Sequence, residues 1–131
     1  VVARGRVEGN GGWFLEPTLL AGVEPSMTIA REEVFGPVLP VLEVADADEA
    51  LEVARSTRYG LSASIYTRDL NAAIRFLHEI DAGVLHVNKP PIGAENHLPF
   101  GGFKESGLGP KELGAVWDFY TQTKTVYLDW S

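Results

Sequence analysis

The chain of 131 residues contains no cysteine. That excludes disulfides, thiolate metal sites and a cysteine nucleophile among these residues. The same absence fits a reducing compartment, and the sequence reads as cytoplasmic. Long apolar runs are missing too. Nothing approaches the roughly 18 residues needed to span a bilayer, and the start, Val1-Val2-Ala3-Arg4-Gly5-Arg6, has no apolar stretch of signal-peptide length. Cationic residues are few: 11 Lys and Arg against 18 Asp and Glu give a net charge of −7. Nucleic acid and anionic membrane are polyanions, so neither is expected as a partner. A local site for a small anion remains compatible with that balance. The sequence also lacks a usable G-x-G-x-x-G fingerprint. Gly107-Leu108-Gly109 is followed by Glu112 where the third glycine would stand, and no strand leads into it.

What is present is ordinary globular material, 45% apolar and 22% charged. The length suits one domain or a piece of a larger one. Residues 1–12 are polar and Gly-rich and read as a loop. Trp13 to Leu20 is apolar but broken by Pro17, as in an edge strand or extended connector. Val38 to Val44 is nearly all apolar, like a strand covered on both faces. Ala47, Ala50, Leu51 and Ala54 then recur at helical spacing, with Asp46 or Asp48 as N-cap and Gly60 as the stop. Ser62 to Thr67 reads as a second strand. Asp69 opens a second helix with Leu70, Ala73, Ile74 and Leu77 on one face, and Val84 to Val87 forms a third strand. Lys111 to Thr121 reads as helical, and Thr123 to Trp130 as a final strand. The expected fold is α/β: a small parallel βαβαβ sheet with right-handed crossovers, flanking helices and a C-terminal strand. Ligands of such sheets sit beyond the carboxyl ends of the strands.

Two stretches could carry chemistry. In Arg31-Glu32-Glu33-Val34-Phe35-Gly36-Pro37-Val38, a carboxylate could accept hydrogen bonds from vicinal hydroxyls, and an aromatic two residues on could lie against a flat ring. A solvated carboxylate and a core Phe are the plainer alternatives. The second stretch, Asn88 to Gly109, holds three Pro and five Gly. Long ordered loops are uncommon and often functional. Gly101 and Gly102 permit close backbone approach or positive φ, and Ile92 and Phe100 could wall an apolar pocket; a surface loop with a packed Phe is the alternative. His78, His86 and His97 share no metal-ligand spacing, so no metal site is expected. Ser106 has no base placed beside it by the sequence.

Taken together, these stretches resemble the C-terminal part of the catalytic region of the aldehyde dehydrogenase superfamily, from about Gly11 to Asp129. The resemblance is carried in order by the Arg31–Val38 stretch, Thr57-Arg58-Tyr59-Gly60-Leu61-Ser62-Ala63, Ala82-Gly83-Val84-Leu85-His86-Val87-Asn88, and Pro99-Phe100-Gly101-Gly102-Phe103-Lys104-Glu105-Ser106-Gly107. Gly93 to Gly102, followed by Gly109-Pro110-Lys111-Glu112, looks most like the branch that oxidises semialdehydes of oxo acids. The resemblance implies that Glu33 hydrogen-bonds the nicotinamide ribose and Phe35 positions the nicotinamide ring. It places Ile92 and Phe100 near the aldehyde pocket, with Ile92 where many relatives have an aromatic. Glu112 matches a family carboxylate near the pocket, thought to support proton transfer or the order of a cofactor loop, although Pro110 reads as an extra residue just before it. Residues 121–130 resemble a strand that joins an oligomerisation sheet.

The family's chemistry needs a cysteine thiolate to attack the aldehyde, a nicotinamide to accept hydride, and a general-base Glu to help water release the acyl group. In the family these parts and the cofactor-binding units lie upstream of the matched portion. The 131 residues thus read as a single partial domain, the C-terminal portion of an NAD(P)-dependent aldehyde dehydrogenase. NAD or NADP would serve the complete enzyme, and neither is expected to bind this chain alone. The alternative is a freestanding, non-catalytic oligomer or interaction module of the same fold. Either reading expects self-association through residues 121–130.

Overall fold

The computed structural model describes residues 1–9, 11–93, 95, 97–107 and 120–131. The chain divides into two compact units, Val1–Thr57 and Arg58–Ser131.

In the first unit, β1 (Ala3–Arg4) runs antiparallel to β2 (Thr18–Leu20), and β2 runs parallel to β3 (Val38–Pro40). The register sets Leu19 opposite both Ala3 and Leu39. β2 is therefore the central strand of three, not an edge strand. Pro17 causes no conflict because it lies just before the ladder, where its carbonyl accepts from the Gly5 N–H at 2.8 Å. The residues read as an N-terminal loop contribute β1. β3 is shorter than the apolar run suggested, and Leu39 is 62% exposed, so this strand is not covered on both faces. A single turn, α1 (Thr28–Arg31), lies between β2 and β3. Helix α2 (Ala47–Ser56) begins where the sequence places it. The Glu49 N–H donates to Asp46 Oδ1 at 3.0 Å, and Glu49 Oε2 accepts from the Ala45 N–H at 2.6 Å. Two otherwise unpaired donors are thereby satisfied at the positive end of the helix dipole.

The second unit opens with β4 (Tyr59–Gly60), antiparallel to β7 (Phe103–Lys104). Gly60 is buried in this pair and does not stop α2, which ends at Ser56 with Thr57 as C-cap. Its glycine is required by crowding: a β-carbon there would meet the Asp81 carbonyl and Phe103. β5 (Ser62–Ile65) and β6 (Val84–Val87) pair in parallel, Ser62 opposite Val84 and Ile65 opposite Val87, with α3 (Leu70–Glu79) between them in sequence. This is the βαβ unit expected from the sequence. The three-stranded parallel sheet is not formed: β3 takes β2 as its ladder partner, and β5 takes β6. Among the described residues the architecture is α/β with three small sheets, one mixed, one antiparallel and one parallel.

Helix α3 starts on Asp69, whose Oδ1 accepts from the Asn71 N–H at 2.8 Å. It buries Ala73 and Phe76, followed by Ile80 and Ala82. The expected face differs, since Leu70, Ile74 and Leu77 are exposed. The apolar arc of this helix is wider than the cover available.

Thr123–Trp130 belongs to no ladder, and its side chains are exposed. A strand needs a neighbour for its N–H and C=O groups, and this segment finds none among the described residues. The helix expected over Lys111–Thr121 lies almost wholly outside them. Among the described residues no helix is long and apolar enough to cross a membrane.

Candidate functional site

The second unit carries a cleft of about 540 Å³ along β6 and beyond its carboxyl end. Its construction begins at Asn88, which takes a left-handed backbone with φ of 55°. The Asn88 N–H continues the ladder to the Ile65 carbonyl at 2.8 Å. Its side chain then grips Thr67 twice: Oδ1 accepts from the Thr67 N–H and Nδ2 donates to the Thr67 carbonyl, both at 2.9 Å. Asn is among the few residues that tolerate this conformation. The next residues are fastened to β5. Ser64 Oγ donates to the Lys89 carbonyl at 2.5 Å, and Ser62 Oγ to the Pro91 carbonyl at 3.3 Å. Residues 88–91 therefore leave β6 in one fixed direction.

Ile92 and Phe100, named from the sequence as pocket walls, line this same cleft with Val87, Leu98 and Pro99. Ile92 is 76% exposed and Phe100 half-buried. The Gly-Gly pair acts by close approach and not by positive φ. Gly102 is buried, and a β-carbon on Gly83 would run into the Gly101 carbonyl.

Three polar residues in the cleft wall escaped the sequence reading. Lys89 lines it and makes no ion pair among the described residues. Glu95 also lines it, its carboxylate 3.5 Å from His97 Nε2. His86 sits in β6 with its Nε2 buried and without a hydrogen-bond partner. A signal for the fastening was present in the alternation of Ser62 and Ser64. Small hydroxyl residues at period two put a row of donors on one face of a strand.

Glu33 and Phe35 belong to the first unit. Glu33 is exposed and has no partner among the described residues. Phe35 has φ of 53° and is 91% exposed. It is thus no core anchor. A bulky residue in the left-handed region is an outlier that persists only where its surroundings hold it. Here the chain on its C-terminal side is fixed by the Val38 N–H donating to Gly36 O at 2.7 Å and the Thr18 N–H donating to Pro37 O at 2.8 Å. Glu112 lies outside the described residues. Among those described, no group of His, Asp and Glu could hold a metal ion. Elsewhere, the Ser131 N–H donates to Asp129 Oδ1 at 3.0 Å and lowers that carboxyl from its usual range.

Residues 1–126 match the aldehyde dehydrogenase family. Over 118 residues the chain is 55% identical to an alpha-ketoglutarate semialdehyde dehydrogenase of Haloferax volcanii, covering 88% of this chain and 24% of that protein. Its fold matches the crystal structure of an NAD-dependent aldehyde dehydrogenase from Sinorhizobium meliloti with a TM-score of 0.84 and 44% identity, covering 94% of this chain and 24% of that one. It matches a 1-pyrroline-5-carboxylate dehydrogenase from Thermus with bound NAD with a TM-score of 0.77 and 42% identity, covering 82% and 21%. The chain therefore spans about a quarter of the length of the relatives it matches.

Proposed function

The chain belongs to the aldehyde dehydrogenase family, and from that premise we propose that it is the C-terminal portion of an NAD(P)-dependent enzyme oxidising an aldehyde to a carboxylate. Within that class, the reading favours a semialdehyde of an oxo acid. The observation that carries the proposal is the pairing of a family match over nearly the whole chain with coverage of only a quarter of each relative. The lack of cysteine agrees with it. The thiolate that attacks the carbonyl and the bulk of the cofactor site would then be contributed by the remaining part of the enzyme.

The residues of this chain would do the positioning. The cofactor's chemistry is to accept the hydride. Glu33 presents a carboxylate without a partner here, which suits the vicinal hydroxyls of a ribose. Phe35 presents an exposed ring on a constrained backbone, which suits a flat heterocycle. Ile92 and Phe100 would exclude water from the carbon skeleton of the aldehyde. Residues 121–130, exposed and rich in β-branched and aromatic side chains, would complete a sheet with another subunit.

The test is direct. The purified 131-residue chain, supplied with 2,5-dioxopentanoate and NAD or NADP, should give no aldehyde-dependent NAD(P)H. The same assay on the complete enzyme containing these residues should give it. Aldehyde-dependent reduction by the short chain, free of full-length enzyme, would overturn the division of labour. Its absence from the complete enzyme would overturn the assignment itself.

A further inference from the structure

We propose that Lys89 is a specificity-determining residue that binds the distal carboxylate of the aldehyde substrate. The inference rests on the functional reading above and deepens it by assigning the substrate's charge to one side chain.

The cleft is otherwise suited to a short carbon skeleton. Val87, Ile92, Leu98, Pro99 and Phe100 give it apolar walls. Such a surface holds methylene groups by burial but does not distinguish an aldehyde that ends in methyl from one that ends in a carboxylate. A carboxylate needs a cation or several donors, because desolvating an unpaired anion is costly. Among the described residues Lys89 is the sole Lys or Arg lining the cleft, and no carboxylate among them is paired with it. The opposing charge in the wall is Glu95. Its carboxylate lies 3.5 Å from His97 Nε2, an alternative partner that leaves the Lys89 ammonium available for an anion from solution.

Placement adds to composition. Lys89 is exposed, so binding an anion has to order its side chain at a cost in entropy, but not its backbone. Here the backbone is already ordered. The Asn88 grip on Thr67 lies immediately before Lys89, its own carbonyl accepts from Ser64 Oγ, and the Pro91 carbonyl accepts from Ser62 Oγ. Four side-chain hydrogen bonds thus hold Asn88, Lys89 and Pro91 where Lys89 lines the cleft. The chain's net charge of −7 makes a local cation all the more distinctive to an approaching anion.

The experiment compares 2,5-dioxopentanoate with pentanal, two five-carbon aldehydes differing in charge, in the complete enzyme containing these residues. The ratio of their kcat/KM values should fall ten-fold or more in Lys89→Met, chiefly through a higher KM for the charged aldehyde. Lys89→Arg should keep the ratio within about three-fold of the parent. In the parent, raising ionic strength should lower the ratio, and in Lys89→Met it should not. An unchanged ratio in Lys89→Met, or a parent enzyme without preference for the charged aldehyde, would overturn the role of Lys89 while leaving aldehyde oxidation intact. An enzyme that oxidises neither aldehyde would overturn the functional reading and this inference together.

Discussion

Glu33 and His86 Nε2 are both polar groups without a partner among the described residues, and their surroundings give them opposite consequences. Glu33 is exposed, so its charge costs the fold nothing, and Glu33→Gln should change stability by less than about 0.5 kcal/mol. In the complete enzyme, with Glu33 on the cofactor ribose as proposed, the same change would exchange a charge-assisted hydrogen bond for a neutral one. Turnover should fall more than cofactor affinity, and paired kcat and NAD dissociation measurements check this; an unaltered kcat would remove the role given to Glu33. His86 Nε2 is buried and unpaired, and such an atom carries a desolvation cost of about 1–3 kcal/mol. His86→Phe keeps an aromatic ring in β6 and removes that atom. Urea denaturation of the 131-residue chain should show an unchanged or higher midpoint, and a loss above about 2 kcal/mol would mean that the imidazole has a partner here after all. At this scale the sequence pointed to the close approach at Gly101 and Gly102 and to two apolar residues, Ile92 and Phe100, that line one cleft, because shape and hydrophobicity travel with residue type. It was a poor guide to Lys89 and His86. Which lysine meets a cleft and which histidine loses its partner depend on tertiary neighbours that spacing does not encode.

Elements with their own local signals were the most legible. Asp46 and Asp69 cap α2 and α3 where the sequence placed them, and β5, α3 and β6 form the expected parallel unit. The pairings that escaped, β2 with β3 and β4 with β7, join residues far apart in sequence through strands of two or three residues. Strands that short have too few positions to show a period. The expected face of α3 differs for a related reason: periodicity identifies an apolar arc, and tertiary neighbours decide which part is covered. The Asp69 cap has a measurable consequence. Asp69→Ala leaves the Asn71 N–H without its acceptor at the start of the helix that supplies Ala73 and Phe76 to the core. The loss should be about 1 kcal/mol, and Asp69→Asn or Asp69→Ser should recover most of it. Chemical denaturation of the three variants checks this, and a neutral Asp69→Ala would show that α3 is held by its buried face alone.

At the scale of the whole molecule the dominant fact is uncovered apolar surface. The chain exposes 10785 Å². Two separate folded bodies of the size of its two units would expose only about 8200 Å² by the usual scaling of area with mass. Large apolar side chains are exposed, among them Phe35, Ile92, Tyr127 at 93% and Trp130 at 89% exposure. Patches of this kind mark surfaces that meet a partner. The segment 121–130 is the clearest of them, because Val126, Tyr127, Leu128 and Trp130 are all exposed and their backbone has no ladder among the described residues. An unpaired backbone edge with apolar side chains invites a second chain. The net charge of −7 opposes open-ended growth, so a closed, symmetric assembly is the expected result. Light scattering on the intact chain at micromolar concentration should therefore report a dimer or a larger closed oligomer. Deleting residues 121–131 should yield monomer or insoluble protein, and Tyr127→Lys should weaken association without removing the backbone that pairs. Raising salt separates the two forces at work: screening the repulsion between acidic chains should strengthen the assembly if apolar burial holds it together. A monodisperse monomer from the intact chain would contradict the role given to 121–130, and association undiminished by the deletion would move the contact to another of the exposed apolar faces.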